Sequence, residues 1–192
     1  MAILTSKKVR FTVDEYFRLS EAGVFDDRRV ELIDGRIVEM HAQANPHRAG
    51  VTKSNIALNR HFGDPTRFWL VVQGTYIIEP YDAPDPDFHV FDVPVGTPDR
   101  ELPRPFLVIE VSHTTYKRDS GPKLRRYAAA GVRDYWIVNI AERRVEVYRD
   151  PNNPTGRKAD WRYESVTHHA AGSKVKLLAF PKIALAVAEM LP

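Results

Sequence analysis

Phe106-Leu107-Val108-Ile109-Glu110-Val111-Ser112 is an apolar, β-branched run of the kind that forms a buried strand, and a single carboxylate interrupts it. An unpaired buried carboxylate is costly, so Glu110 must stand near a sheet end or face a partner, and a divalent cation is one such partner. Upstream, Pro86-Asp87 opens a second apolar run, Phe88 to Phe91, where proline is tolerated because it starts the strand. If the Pro-rich segment from Pro94 to Pro105 joins two neighbouring strands, Asp87 and Glu110 point into one cleft. The plain alternative is a carboxylate pair held by arginine or lysine for structure alone.

Charge is segregated on either side of this strand. Asp82, Asp85, Asp87, Asp92, Asp99 and Glu101 face one base, Arg100, whereas Lys117, Arg118, Lys123, Arg125 and Arg126 face one acid, Asp119. Hard cations want carboxylates and phosphodiesters want cations, so the pattern suits a metal ion beside a phosphate; two solvated surface runs are the simpler reading. A helix is expected from about Ser120 to Ala130, with Gly131 as its left-handed cap. That start puts Lys123, Arg125 and Arg126 in the first turn, where each cation opposes the helix macrodipole by about 0.3–1 kcal/mol. A phosphate held at the helix start would favour them, and so would side chains that simply reach into water.

Further out, Thr12 and Glu15 have capping-box spacing before a short helix that runs to Gly23. Asp34-Gly35 favours a tight turn between strands Arg29 to Ile33 and Arg36 to Met40. Pro46 to Phe62 reads as an exposed amphipathic helix with a thin stripe, Ala49, Ile56, Ala57 and Leu58. Strands are expected at Phe68 to Gln73, Tyr76 to Glu79, Asp87 to Val93, Tyr135 to Ile140, Arg143 to Tyr148, Trp161 to Val166 and Lys174 to Leu178, and a terminal helix at Lys182 to Met190. The order predicts an α+β fold, a mixed central sheet flanked by helices with additional hairpins.

A chain of 192 residues, 43% hydrophobic and 28% charged, suits one domain over residues 1–192 and argues against overall disorder. A net charge of +3 is too small for a uniformly cationic nucleic-acid coat, so any anion-binding field is local. Without cysteine there is no disulfide scaffold, thiolate metal site or cysteine nucleophile. No run of about 20 apolar residues suggests a membrane span. Met1 to Arg10 lacks the apolar stretch of a secretory signal, and a cytoplasmic protein is expected. Tyr135 and Trp136 are expected to pack in the core, and His168-His169, facing opposite ways on a strand, to lie at the surface.

The run Leu107 to Ser112, then Asp119, Lys123, Tyr127-Ala128, Gly131-Val132 and Tyr135-Trp136-Ile137-Val138-Asn139, closely resembles the signature of the bacterial Uma-two family of restriction-endonuclease-like proteins. Glu31-Leu32-Ile33-Asp34-Gly35, Pro46-His47 and Pro84-Asp85-Pro86-Asp87 match in the same order, and the resemblance covers about residues 11 to 150. It implies the PD-(D/E)XK nuclease core, with Asp87 and Glu110 as metal-binding acids joined by the main-chain carbonyl of Val111. The superfamily lysine would stand two residues after the glutamate, where this chain has Ser112; the resemblance moves that role to Lys123 on the next helix.

Glu31, His47, Ser112 and Asp119 are implied as supporting residues, although an ion pair or a helix-start histidine explains the first two equally well. The implied activity is endonucleolytic hydrolysis of nucleic acid, DNA in preference to RNA, with Mg²⁺ or Mn²⁺ as cofactor. Lys117, Arg118, Arg125 and Arg126 would contact the phosphate backbone, and a homodimer would let two sites cut two strands. The alternatives are a catalytically inactive nucleic-acid-binding or regulatory module on the same fold, and a two-carboxylate sugar hydrolase using Trp69, Trp136 and Trp161.

Overall fold

The structure, a computed structural model, describes residues 9–40 and 42–192; the stretch Met1 to Arg10, where no secretory signal is expected, lies mostly outside them. The chain forms two units, Met1–His41 with Thr75–Pro84, and Ala42–Gly74 with Asp85–Pro192.

The smaller unit follows its local signals. Helix α1 (Val13–Glu21) is capped as the spacing predicts: Glu15 N–H donates to Thr12 Oγ1 at 3.2 Å, and Thr12 N–H to Glu15 Oε2 at 2.9 Å. Strands β1 (Val30–Ile33) and β2 (Arg36–Glu39) form a hairpin through Asp34 at φ 53° and Gly35 at φ 69°, both in the left-handed region. Val13, Tyr16, Leu32 and Ala83 make its core. The strand expected at Tyr76 to Glu79 does not form: Tyr76 N–H bonds to Pro84 O and Ile78 N–H to Asp82 O, so the segment folds back on itself with one isolated bridge.

The larger unit is built on a six-stranded sheet, in order β3 (Trp69–Val72), β4 (Phe88–Phe91), β5 (Leu107–Ser112), β6 (Asp134–Asn139), β7 (Arg144–Asn152) and β8 (Arg162–Ala170). Neighbours are antiparallel except β5 and β6. A parallel pair needs a crossover, and here it carries the helical segment that begins at Tyr116. Helix α2 (Asn45–Phe62) buries Gly50, Ser54, Ala57, Leu58 and Phe62, so its inward face differs from the expected stripe, and Ile56 is exposed. Gly50 sets the approach of α2 to the sheet: a Cβ there would stand 2.8 Å from Val111 Cγ1.

The helical crossover starts four residues earlier than expected. An α-turn, Tyr116–Arg118, runs through a π-turn, Asp119–Lys123, into an α-helix, Leu124–Ala129, and the three together are α3. Pro122, which has no N–H, sits inside the wide turn. Lys123 is therefore in mid-segment, and neither it nor Arg125 nor Arg126 is in the first turn. The expected terminal helix is also absent. β9 (Lys174–Lys176) pairs with β10 (Ala184–Ala186), followed by a 3₁₀ turn, Val187–Glu189. Leu185, Val187, Met190 and Leu191 enter the sheet's core in that extended form, and the tertiary packing overrides the helical pattern. Among the described residues, no helix is long and apolar enough to cross a membrane.

Candidate active site

The ladder between β4 and β5 sets Phe88 opposite Ile109 and His89 opposite Val108. One step further along the same register brings Asp87 against Glu110, at the end where β4 begins. Both are buried, with 7% and 4% of their surface exposed. Asp87 Oδ2 accepts the Val111 N–H at 2.8 Å, and Oδ1 accepts Gln73 Nε2 at 3.2 Å. Glu110 Oε1 accepts two donors, Lys123 Nζ at 2.9 Å and Tyr127 OH at 2.7 Å. Lys123 is 1% exposed and its Nζ also reaches the Asp85 carbonyl at 3.3 Å.

The crossover explains why these groups meet. A chain leaving β5 must return over the sheet to start β6 in parallel, so α3 lies over the end of its own strand. Asp119, Lys123 and Tyr127 recur every four residues along it, and all three are buried. Asp119 is anchored by hydroxyls: Ser112 donates to its Oδ2, as does Thr115 Oγ1 at 2.6 Å, while Tyr135 OH donates to its main-chain carbonyl at 3.0 Å. Ser112 thus ties the helix to the strand that carries Glu110.

His47 comes from the first turn of α2. The Gly50 contact holds the first turn of α2 near Val111, and His47 Nδ1–H donates to the Val111 carbonyl at 2.7 Å. A carbonyl only accepts, so the proton is on Nδ1, and Nε2 faces Asp87 Oδ1 at 3.3 Å. That second contact is attractive when the ring is an imidazolium. Burial pushes the His47 pKa down, but the hydrogen bond and charge of Asp87, with the Val111 carbonyl, outweigh it and leave the pKa raised. The carboxyl of Glu110 is pushed up to about 8, first by burial, with Asp119 and Asp87 adding to the effect and Lys123 and Tyr127 opposing it. Burial likewise raises Asp119, against Lys123, Ser112 and Thr115. Both shifts favour the protonated forms, for Glu110 chiefly through burial and for His47 through the Asp87 carboxylate.

Asp87, Glu110, Val111, Lys123 and His47 are therefore brought together, with Ser112 and Asp119 beside them. Glu31 lies fully buried on β1 of the smaller unit. Of the four basic residues expected at a nucleic-acid backbone, Lys117 is exposed and Arg118 and Arg125 are half-buried. Arg126 is buried at 9% exposure, which removes it from that set. Trp136 is fully buried and its indole N–H bonds to Asp134, so it offers no stacking platform for a sugar. His168 and His169 sit on β8 at the sheet edge, as expected. Gln73 and Tyr127 complete the site. The four-residue spacing from Lys123 could have flagged Tyr127, whereas nothing local distinguishes Gln73.

The donors suit a hard divalent cation: two carboxylates and a main-chain carbonyl, all oxygen. Among the described residues no group of three or more His, Cys, Asp or Glu side chains could hold a metal ion. Two carboxylates and one carbonyl fall short of a full shell, so a cation held there would keep bound waters.

A family model described as "Uma2: Putative restriction endonuclease" matches residues 13–188. Among solved structures, a "putative nuclease" from Anabaena variabilis aligns with a TM-score of 0.68, covering 94% of this chain and 97% of that one at 16% sequence identity. That likeness bears on the fold, a nuclease-like arrangement of helices around a mixed six-stranded sheet. None of the curated proteins compared matches the chain.

Proposed function

This chain belongs to the Uma2 family of restriction-endonuclease-like proteins, and from that premise we propose that it is a metal-dependent endonuclease that hydrolyses phosphodiester bonds, with DNA as substrate. The observation that carries the reading is the meeting of Asp87 and Glu110 across the β4–β5 ladder, with Lys123 Nζ 2.9 Å from Glu110 Oε1. Asp87, Glu110 and the Val111 carbonyl would hold Mg²⁺ or Mn²⁺. When bound, the metal supplies polarisation of the phosphate and a lowered pKa for water. Lys123, fixed by Glu110 and the Asp85 carbonyl, would orient an attacking water or offset charge gathering on the phosphate oxygens. Tyr127 holds Glu110 in register with it. His47 Nε2, 3.3 Å from Asp87 Oδ1, would compete with a bound cation for that carboxylate. Lys117, Arg118 and Arg125 supply backbone affinity that falls with salt. Action on both strands would call for a second copy, in keeping with a homodimer, and a cytoplasmic location agrees with the absence of cysteine.

One observation favours a second reading, a catalytically silent nucleic-acid-binding module: Ser112 occupies the position of the usual lysine. Replacing Asp87 by Asn separates the two. Loss of Mg²⁺-dependent cleavage with nucleic-acid binding retained supports the nuclease, and equal cleavage by both proteins removes Asp87 from catalysis.

A further inference from the structure

We infer that Gln73 is a positioning residue that fixes the direction in which Asp87 Oδ1 is offered, an inference that rests on the metal-dependent reading above. Gln73 follows β3 directly and continues its pairing, its N–H donating to the Asp87 carbonyl at 3.0 Å. Its backbone then turns into the left-handed region, φ 51°, which side-chain-bearing residues avoid. Glycine suits that conformation, and this chain places glycine one residue later, at position 74. A residue that served only to end the strand would be better as glycine.

What the turn achieves is a side-chain contact. Gln73 Nε2 reaches Asp87 Oδ1 at 3.2 Å, while the Val111 N–H holds Oδ2 at 2.8 Å. With the Val111 N–H on Oδ2, and the Gln73 amide on Oδ1 beside His47 Nε2 at 3.3 Å, the plane of the carboxylate is fixed, and Gln73 is the neutral group that sets the direction of Oδ1. The amide is neutral, so it fixes the oxygen without competing as a charge with an incoming cation. Strain held at such a position is a recurring feature of functional sites, and groups that orient a metal-binding carboxylate commonly govern affinity.

Gln73→Gly tests this in the full chain, because it keeps the backbone bond to Asp87, relieves the left-handed turn and deletes only the amide. Gln73→Met, which keeps the bulk, serves as the second variant. Three quantities are measured: thermal unfolding in chelator, the Val111 amide resonance and its hydrogen exchange without metal, and the Mn²⁺ dissociation constant. The expected result for Gln73→Gly is unfolding at a temperature no lower than wild type, a shifted and faster-exchanging Val111 amide, and Mn²⁺ binding weakened at least about tenfold in both variants. If wild type binds Mn²⁺ and the variants bind it equally well, the inference is overturned. If wild type binds no Mn²⁺ while the Val111 amide still moves, the metal reading fails and the positioning of Asp87 stands; an unmoved amide in that case overturns both.

Discussion

Replacing Glu110 by Gln should make the metal-free protein more stable. Glu110 is buried, and its carboxyl is pushed from the ordinary 4.5 up to about 8, chiefly by burial. A pKa raised by folding contributes stability that is full below pH 4.5 and is lost as pH climbs through 8, because the unfolded chain releases a proton that the folded chain retains. From pH 4.5 to pH 7 the loss runs at about 1.4 kcal/mol per pH unit, so about 3 kcal/mol is missing at neutrality. An amide does not titrate, and its oxygen can accept from Lys123 and Tyr127 as the carboxylate does. Urea unfolding in chelator at pH 4, 5.5, 7 and 8 should show the two proteins equal near pH 4 and the variant ahead by about 3 kcal/mol at pH 7. Mn²⁺ at ten times its dissociation constant should return about 1.4 kcal/mol to wild type and nothing to the variant. A pH-independent difference, or a wild type more stable at pH 7, would refute the electrostatic description of this carboxylate.

Other perturbations reach the same site by different routes. Tyr127→Phe deletes one of two donors to Glu110 and should cost about 1 kcal/mol in denaturant unfolding at pH 7. Gly50→Ala drives a methyl against Val111, so it should destabilise by about 1–3 kcal/mol and shift the His47 ring resonances, showing that α2 sets the His47–Val111 contact. Lys117→Ala should lower the slope of log affinity against log salt for DNA by about 1, measured by fluorescence anisotropy, without changing the chemical step.

The central pairing was legible because it depends on local chemistry. An acid inside an apolar run and a second acid behind a strand-opening proline predict two buried carboxylates on neighbouring strands, and the β4–β5 register brings Asp87 and Glu110 opposite each other. The Asp34-Gly35 turn and the Thr12–Glu15 cap were legible for the same reason. The start of α3 was not, because a π-turn containing Pro122 replaces the first regular turn, and proline there reads as a helix start. Residues 182–190 misled because Val187, Met190 and Leu191 recur at helical spacing, whereas Ala184–Ala186 pairs with β9 and only a 3₁₀ turn follows. Gln73 escapes sequence reasoning in another way, and His47 is flagged by the family motif, but its geometry is not. Their contacts to Asp87 arise from a left-handed backbone angle and from the close approach of α2 at Gly50, neither of which a residue pattern records.

Cleavage of labelled single- and double-stranded DNA and RNA, followed while Mg²⁺ or Mn²⁺ is titrated into wild type and Lys123→Ala, bears most directly on the assignment of this site. The arrangement of Asp87, Glu110 and Lys123 predicts metal-dependent scission by wild type, abolished in the variant although it still binds the same strand. Intact substrate at every metal concentration, or equal cutting by both proteins, would contradict it.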